Sequence, residues 1–330
     1  MTEPRTPVLV RAEHDPRLEA RIVQRWPLAY DEGACAEEDR PAFARAASGI
    51  AHLAGELVLV QDDASFLARV RAGAPARAVS LPRGPGGRRR FEKRLGNKHD
   101  KLDLESCVAV AGLDGPRLLA FGSGSLPVRT WIACYTPSRE SVRMVDAGPL
   151  YEALRAELAF SGGALNIEGA AVVQGALRLF QRGNGDHGGH PATVDLDLAA
   201  FLDWLDAGGV MPALDRITHY DLGEERGVRF GFTDACELGP DRIAYLASAE
   251  DSPDAVEDGQ VLGSRVGIID GAGARWVELR AEPGAAGALK AEGIALDPER
   301  PDRAWVVLDP DDPDRAAELC EVALGGPWAA

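Results

Sequence analysis

The sequence predicts an all-β fold, a five-bladed β-propeller, on three observations. A short phrase, a polar residue followed by small residues and an apolar run, occurs five times, as ASGIAHLA, LESCVAVA, NIEGAAVV, FTDACELG and AEGIALDP. After each copy come further short apolar runs separated by Gly, Pro and Asp turns. The last copy lacks the final run, and its counterpart stands near the N-terminus. Units of this kind bury their faces only against their neighbours, and short strands at even spacing without alternating helices mark an all-β repeat. The run VLVRAEH at 8–14 leaves a six-bladed ring as the alternative.

In the first unit the anchor Ser48 opens an inner strand, and ELVLVQ, FLARV and RAVSLP (77–82) follow as the second, third and fourth. Glu105 opens the second unit, with RLLAFG, TWIACY and VRMVDAG (142–148). Glu168 opens the third, with LRLFQR, ATVDLDL and RITHYDLG (216–223). Asp234 leads RIAYLA, RVGIID and RWVELRAE (275–282), and Glu292 leads AWVVLD and AELCEVAL. Short apolar runs between turn formers suit buried strands. RIVQRWPLAY (21–30) then supplies the outer strand of the fifth unit, so the ring closes and no sheet edge is left unpaired. Apolar residues three and four apart in LYEALRAELAF (150–160) and AAFLDWLDAG (199–208) predict two short helical inserts over a face or rim. Residues 1–330 read as one domain.

Composition narrows the function classes. Hydrophobic residues make up 45% and charged residues 27%, as in a chain that buries a sizeable core. No apolar run reaches the length of a membrane span, and the first residues lack a basic region leading into an apolar one, so a cytoplasmic protein without membrane contact is expected. Cysteines 35, 107, 134, 236 and 320 are scattered, which suggests reduced thiols rather than a zinc site or disulfide framework. A net charge of −16 argues against general nucleic-acid binding. The exception is a basic loop insert at 83–101, with eight Lys or Arg against Glu92 and Asp100.

In a propeller the start of each inner strand and the end of the next strand meet on one face. Ser48, Glu105, Glu168, Asp234 and Glu292 are therefore expected in a ring at the channel mouth. Asp62, Asp63, Ser123, Ser125, Arg182, Asn184, Glu250, Asp251, Asp309, Asp311 and Asp312 are expected beside them. Four carboxylates about 7 Å apart repel by about 2 kcal/mol per pair at an effective dielectric near 20, on the order of 10 kcal/mol in all. That rivals the stability of a domain. Protonation, pairing with Lys101, Lys290, Arg45 or Arg229, or a bound cation would relieve it. Oxygen donors without clustered Cys or His favour Ca2+, with Mg2+ or Mn2+ as alternatives. Glu105, Glu168, Asp234 and Glu292 are the candidate metal ligands. Glu250, Asp251 and Asp309 are candidate general bases, and Arg182, Lys98 and Lys101 candidates for binding an anion.

The phrases DLES (103–106), LLAFGSGS (118–125), NIEGAAVV, LFQRGN (179–184), GFTDA (231–235), AEDSPDA (249–255) and KAEGIALD (290–297) resemble an uncharacterised family of bacterial β-propeller proteins. More distantly the chain is similar to the phytase-like, esterase-like and gluconolactonase-like calcium propellers. That resemblance implies a central cation held by Glu105, Glu168, Asn184, Asp234 and Glu292, with Ser48 a departure from the acidic pattern. The expected function is a divalent-cation-dependent hydrolase of a small anionic ester, phosphoester or lactone. The alternative is a non-catalytic propeller that binds a ligand or a protein partner on this face, with a structural calcium ion.

Overall fold

The computed structural model describes residues 7–183, 189–251, 259–282 and 288–328. Strands β1 (Val8–His14) and β2 (Glu19–Pro27) precede β3 to β6 (Ala47–Leu53, Glu56–Gln61, Phe66–Val70, Arg77–Ser80) and β7 to β10 (Leu104–Val110, Arg117–Gly122, Trp131–Thr136, Ser141–Asp146). Helices α1 (Gly148–Ala156) and α2 (Leu158–Ser161) lead into β11 to β14 (Ile167–Val173, Ala176–Gln181, Ala192–Asp197, Asp215–Asp221), with α3 (Leu198–Ala207) inserted before β14. A two-residue β15 (Glu224–Glu225) precedes β16 to β19 (Val228–Gly239, Arg242–Asp251, Gln260–Asp270, Gly273–Arg280). The final three strands are β20 to β22 (Ala291–Leu296, Arg303–Leu308, Glu318–Gly325).

The protein is thus mostly β. Strands β3 to β6, β7 to β10, β11 to β14 and β16 to β19 each pair antiparallel in chain order as a four-stranded unit. The unit of β20 to β22 is completed by β2, which pairs antiparallel with β22 from Glu19 opposite Gly325 to Pro27 opposite Glu318. Period-two alternation explains the fit: Ala20 and Ile22 are buried among Val322, Leu324 and Trp328, while Glu19 and Arg21 face out. Strand β1 forms no sheet of its own. It runs parallel, first along β14 and then along β19, and ties the outer edges of two units together.

The first strands of the units lie side by side in the order β3, β7, β11, β16, β20, and β20 packs in turn beside β3. Five buried clusters fill the spaces between units. One of them joins Ile50, Leu57 and Leu59 of the first unit to Trp305, Val307 and Leu319 of the last. The small residue after each anchor has a packing cause. A Cβ on Gly49 would lie 2.9 Å from the Cys107 backbone nitrogen, and one on Gly293 2.3 Å from the Ser48 carbonyl oxygen, so neighbouring inner strands approach only over glycine there.

Both expected helical inserts form, the first broken at Glu157 into α1 and α2. Helix α1 buries Leu150, Tyr151 and Leu154. The Tyr151 hydroxyl donates to the Gly122 carbonyl at 2.6 Å and Arg155 to the Gly124 carbonyl at 2.8 Å, so α1 fixes the turn after β8. Asp197 caps α3 through the Ala200 N–H, Gly208 ends it in the left-handed region, and Phe201 and Leu205 are buried beneath it. No helix among the described residues is long and apolar enough to cross a membrane, and all five cysteines are unpaired thiols.

Candidate functional site

Every inner strand enters its unit through a β-bulge. The register skips Glu105 between Leu104 and Ser106, Glu168 between Ile167 and Gly169, Glu292 between Ala291 and Gly293, and Ser48 with Gly49 between Ala47 and Ile50. A bulge re-aims the extra side chain and is common beside functional sites. In the fourth unit the skipped residue is Thr233, between Phe232 and Asp234. Thr233, not Asp234, therefore holds the anchor position, and its hydroxyl donates to the Ala291 carbonyl at 2.8 Å. Asp234 sits one step inward, in the place taken elsewhere by Gly49, Ser106, Gly169 and Gly293. One carboxylate oxygen accepts the Ile294 N–H at 2.8 Å. The other is buried with no hydrogen-bond partner among the described residues, and burial pushes this carboxyl well above the usual range.

Around the mouth, basic side chains alternate with the carboxylates. Lys101 Nζ donates to Asp62 at 2.6 Å and lies 2.5 Å from Asp103. The other Asp103 oxygen takes Arg129 at 2.8 Å and the hydroxyls of Ser123 and Ser125. Arg182 bridges Glu168, at 3.3 Å, and Glu250, while Asn166 donates to Glu168 at 2.6 Å and the Gly259 N–H to Glu250 at 2.6 Å. Lys290 joins Glu292 at 3.4 Å, Asp309 at 3.6 Å and Asp311. Arg45 clamps Asp63 and Glu92, each at 2.5 Å.

This pairing is uneven in its effect on ionisation. Burial works against the Lys101 charge, yet the charges of Asp103, Asp62 and Glu105 hold its pKa well above the usual lysine value. Asp103 is buried too, and Lys101 and Arg129 bring it below the usual carboxylate range. Glu105 moves the other way: burial, then the charges of Asp62, Asp103 and Glu168, push it well up. Burial raises Glu168 and Asp309 to about 7 against the pull of Arg182 and Lys290, respectively. It also raises Asp63 to about 7, and carries Glu292 well above its usual value. At neutral pH the mouth therefore holds several carboxyls ready to exchange a proton.

Two features offer donors and room for a ligand. Carboxylate oxygens of Asp62, Asp103 and Glu105 lie within 4.8 Å of one another, the one such group of three among the described residues. Next to it a cleft of about 430 Å³ is lined by Arg45, Asp62, Asp63, Glu92 and Lys98 together with Asp309, Asp311 and Asp312. Asp62 belongs to both. The oxygen donors suit a hard cation, although the Lys101 ammonium already lies between two of the three carboxylates.

The expected residues distribute as follows. Glu105, Glu168 and Glu292 share the anchor position, and Asp309 and Lys98 both line the cleft. Lys101 is buried among carboxylates rather than presented to solvent, and Arg182 is held between Glu168 and Glu250. Asp251 ends β17 in an exposed position opposite Gln260, and Asn184 lies outside the described residues. Arg229 sits opposite Glu224 at the far start of β16. The basic loop is largely consumed by ion pairs. Arg88 and Arg90 meet Asp39, Arg89 meets Glu38, and Arg94 meets Glu92 and Asp314. Sequence reasoning missed Asp103 and Arg129. Asp103 stands two residues before Glu105 in DLES, but its backbone is left-handed, at φ 56°, and Glu105 lies in a bulge, so strand alternation carried no signal that the two would meet.

Fold and site together define a mostly β protein of repeated four-stranded units with a buried, ion-paired acidic mouth. The chain belongs to a family of unknown function, DUF6929, whose model matches residues 44–324. Comparison with curated proteins finds no match. Among solved structures the chain is similar to a glutaminyl cyclase from Myxococcus xanthus, at 12% identity and a TM-score of 0.48 over 97% of this chain and 99% of that one. It is also similar to a virginiamycin B lyase from Staphylococcus aureus, at 11% identity and a TM-score of 0.38 over 93% of this chain and 99% of that one. These likenesses assign no activity.

Proposed function

We propose that the five units form a closed five-bladed propeller, and that its acidic mouth is the active site of a cytoplasmic, divalent-cation-dependent hydrolase of small anionic esters, phosphoesters or lactones. The succession of inner strands, the cluster between the first and last units and the pairing of β2 with β22 support the ring. One observation carries the chemistry: Asp62 is shared between the Asp62–Asp103–Glu105 oxygen group and the cleft that holds Lys98 and Asp309. Those three carboxylates, with Glu168 and Glu292 nearby, would hold Ca2+, or else Mg2+ or Mn2+. The ion would polarise the substrate carbonyl or phosphoryl oxygen and offset the negative mouth. An anion enters so acidic a site only with such compensation, which ties substrate and cation into one hypothesis.

In this reading Asp309, raised to about 7 by burial, takes a proton from the attacking water. Lys98 lines the same cleft and orients the anionic group. Glu105, pushed up by its surroundings, would give up its proton on taking the ion, and the proton that Asp309 draws from water passes on to the leaving group. A second reading is favoured by the alternation itself: Lys101, Arg182 and Lys290 each bridge two or more carboxylates, as a purely structural clamp under a ligand- or protein-binding face would require. Metal analysis by native mass spectrometry and melting with and without Ca2+ separates the two. A bound ion, a higher melting temperature, and chelator-sensitive turnover in a phosphoester and lactone screen are expected of the hydrolase. A chain with no bound ion and an unmoved melting temperature leaves the clamp reading.

A further inference from the structure

The opposite end of the same inner strands carries a second cavity, which the mechanism does not use. It measures about 450 Å³ and is lined by all five inner strands. The register places His52, Ala109, Val172, Glu237 and Leu296 at the same step along β3, β7, β11, β16 and β20. All five line the cavity. Three are aliphatic and two polar. The floor one turn of the pleat inward is Ile50, Cys107, Ala170 and Ala235, again apolar apart from a buried thiol.

Its charged groups are of one sign, Glu237 and Asp297. No Lys or Arg among the described residues lines the cavity. Asp297, at the rim, is taken up by Arg300 at 2.7 Å. Glu237 is exposed, and no described residue pairs with it. His52 Nε2 is buried without a hydrogen-bond partner among the described residues, and burial lowers the imidazole pKa, so the ring is neutral at physiological pH and able to accept a hydrogen bond. The thiols and the imidazole do not gather within a metal ion's reach, because the one group of that kind among the described residues is Asp62, Asp103 and Glu105. An organic ligand fits the lining where a soft metal does not.

We propose that this mouth binds a small organic ammonium, with its apolar body on Ala109, Val172 and Leu296 and its charged nitrogen read by Glu237 and His52. Cavities of this size and apolarity with a few polar groups are the usual form of a small-molecule site. The sign of the charge sets the choice of a cation over an anion. Carboxylate in place of ammonium would face Glu237 with nothing to offset it.

The probe is n-hexylammonium, with n-hexanol as its neutral counterpart, titrated into the full chain and followed by methyl NMR of the alanines and by the His52 ring nitrogens. Saturable shifts at Ala51, Ala109 and Ala170, a change at His52, and weaker binding of hexanol are expected. Glu237 is exposed, so Glu237→Gln keeps the fold, and it should weaken hexylammonium by about tenfold, an effect that added salt reproduces in part. Val172→Trp should abolish the shifts by filling the cavity. The proposal is overturned by an absence of saturable binding, by equal affinity for Glu237→Gln, or by shifts centred on the Glu105 mouth. None of these outcomes depends on whether the other mouth is catalytic.

Discussion

The Lys101 ammonium lies 2.5 Å from the Asp103 carboxylate, with only 5% and 3% of the two side chains exposed. Asp62 holds the same ammonium at 2.6 Å, so one buried positive charge serves two carboxylates and faces a third, Glu105. Breaking such a pair by removing one partner leaves an uncompensated buried charge and costs about 3–5 kcal/mol. Lys101→Met keeps the length of the stem and removes the charge. Urea denaturation should show that loss in the midpoint with an unchanged slope, and millimolar Ca2+ should recover part of it by replacing the missing charge. A variant as stable as the parent would show that the ammonium is not what balances these carboxylates.

The raised carboxyls at the mouth give stability an unusual slope with pH. Glu168 and Asp309 ionise near 7 in the folded protein, against 4.5 and 3.8 for the free side chains. Between those values the folded state holds more protons than the unfolded one, so stability falls as pH rises and levels off above about 7. Depressed groups such as Asp103 and Glu250 act oppositely, and their contribution is lost only as pH falls through the acid range below about 4. The melting temperature of metal-free protein should therefore be higher at pH 5.5 than at pH 8. Ca2+ should raise it more at pH 8, where it no longer competes with protons. A melting temperature that climbs steadily from pH 5.5 to 8 in chelator would contradict this assignment of the buried carboxyls.

Much of this was legible before any coordinates. Apolar runs bounded by turn formers located the strands of the repeats, because a strand buried on both faces has few other ways to be written. The missing last strand and RIVQRWPLAY foretold the pairing of β2 with β22. Two things were hidden. The phase of Asp234 was lost because FTDA places its acid in the small-residue slot, and only the bulge register shows that Thr233 is the anchor. The fate of the basic loop was lost because its partners, Glu38, Asp39 and Asp314, are far away in sequence and carry no pattern that links them to Arg88, Arg89, Arg90 or Arg94.

Glycine at 293 is a packing requirement and can be tested apart from chemistry. Gly293→Ala drives a Cβ to 2.3 Å from the Ser48 carbonyl oxygen, backbone that no rotamer change relieves. Overpacking of this kind costs about 1–3 kcal/mol or more, and the strain falls on the contact between the first and last units. Gly263→Ala is the control, since its Cβ meets nothing within 4 Å. Chemical denaturation should show the first variant destabilised and the second within about 0.5 kcal/mol of the parent. Equal stability of the two would mean that β20 and β3 do not approach as closely as described.

Leu18, just before β2, and Ala20 and Ile22 within it are buried with Val322, Leu324 and Trp328, and the Trp328 indole donates to the Glu19 and Gly325 carbonyls at 3.1 and 2.9 Å. Removing residues 1–27 strips that cover, leaves β22 with an open edge, and exposes an apolar face that invites association between chains. Removing only residues 1–14 takes away β1, whose side chains are mostly exposed, and spares the β2 pairing. The shorter deletion should stay soluble and monomeric with a modestly lower melting temperature. The longer one should aggregate, and a synthetic peptide of residues 17–30 added during refolding should restore soluble protein by supplying β2 in trans. If the longer deletion is as soluble and stable as the shorter, the pairing of β2 with β22 is not what completes the fifth unit.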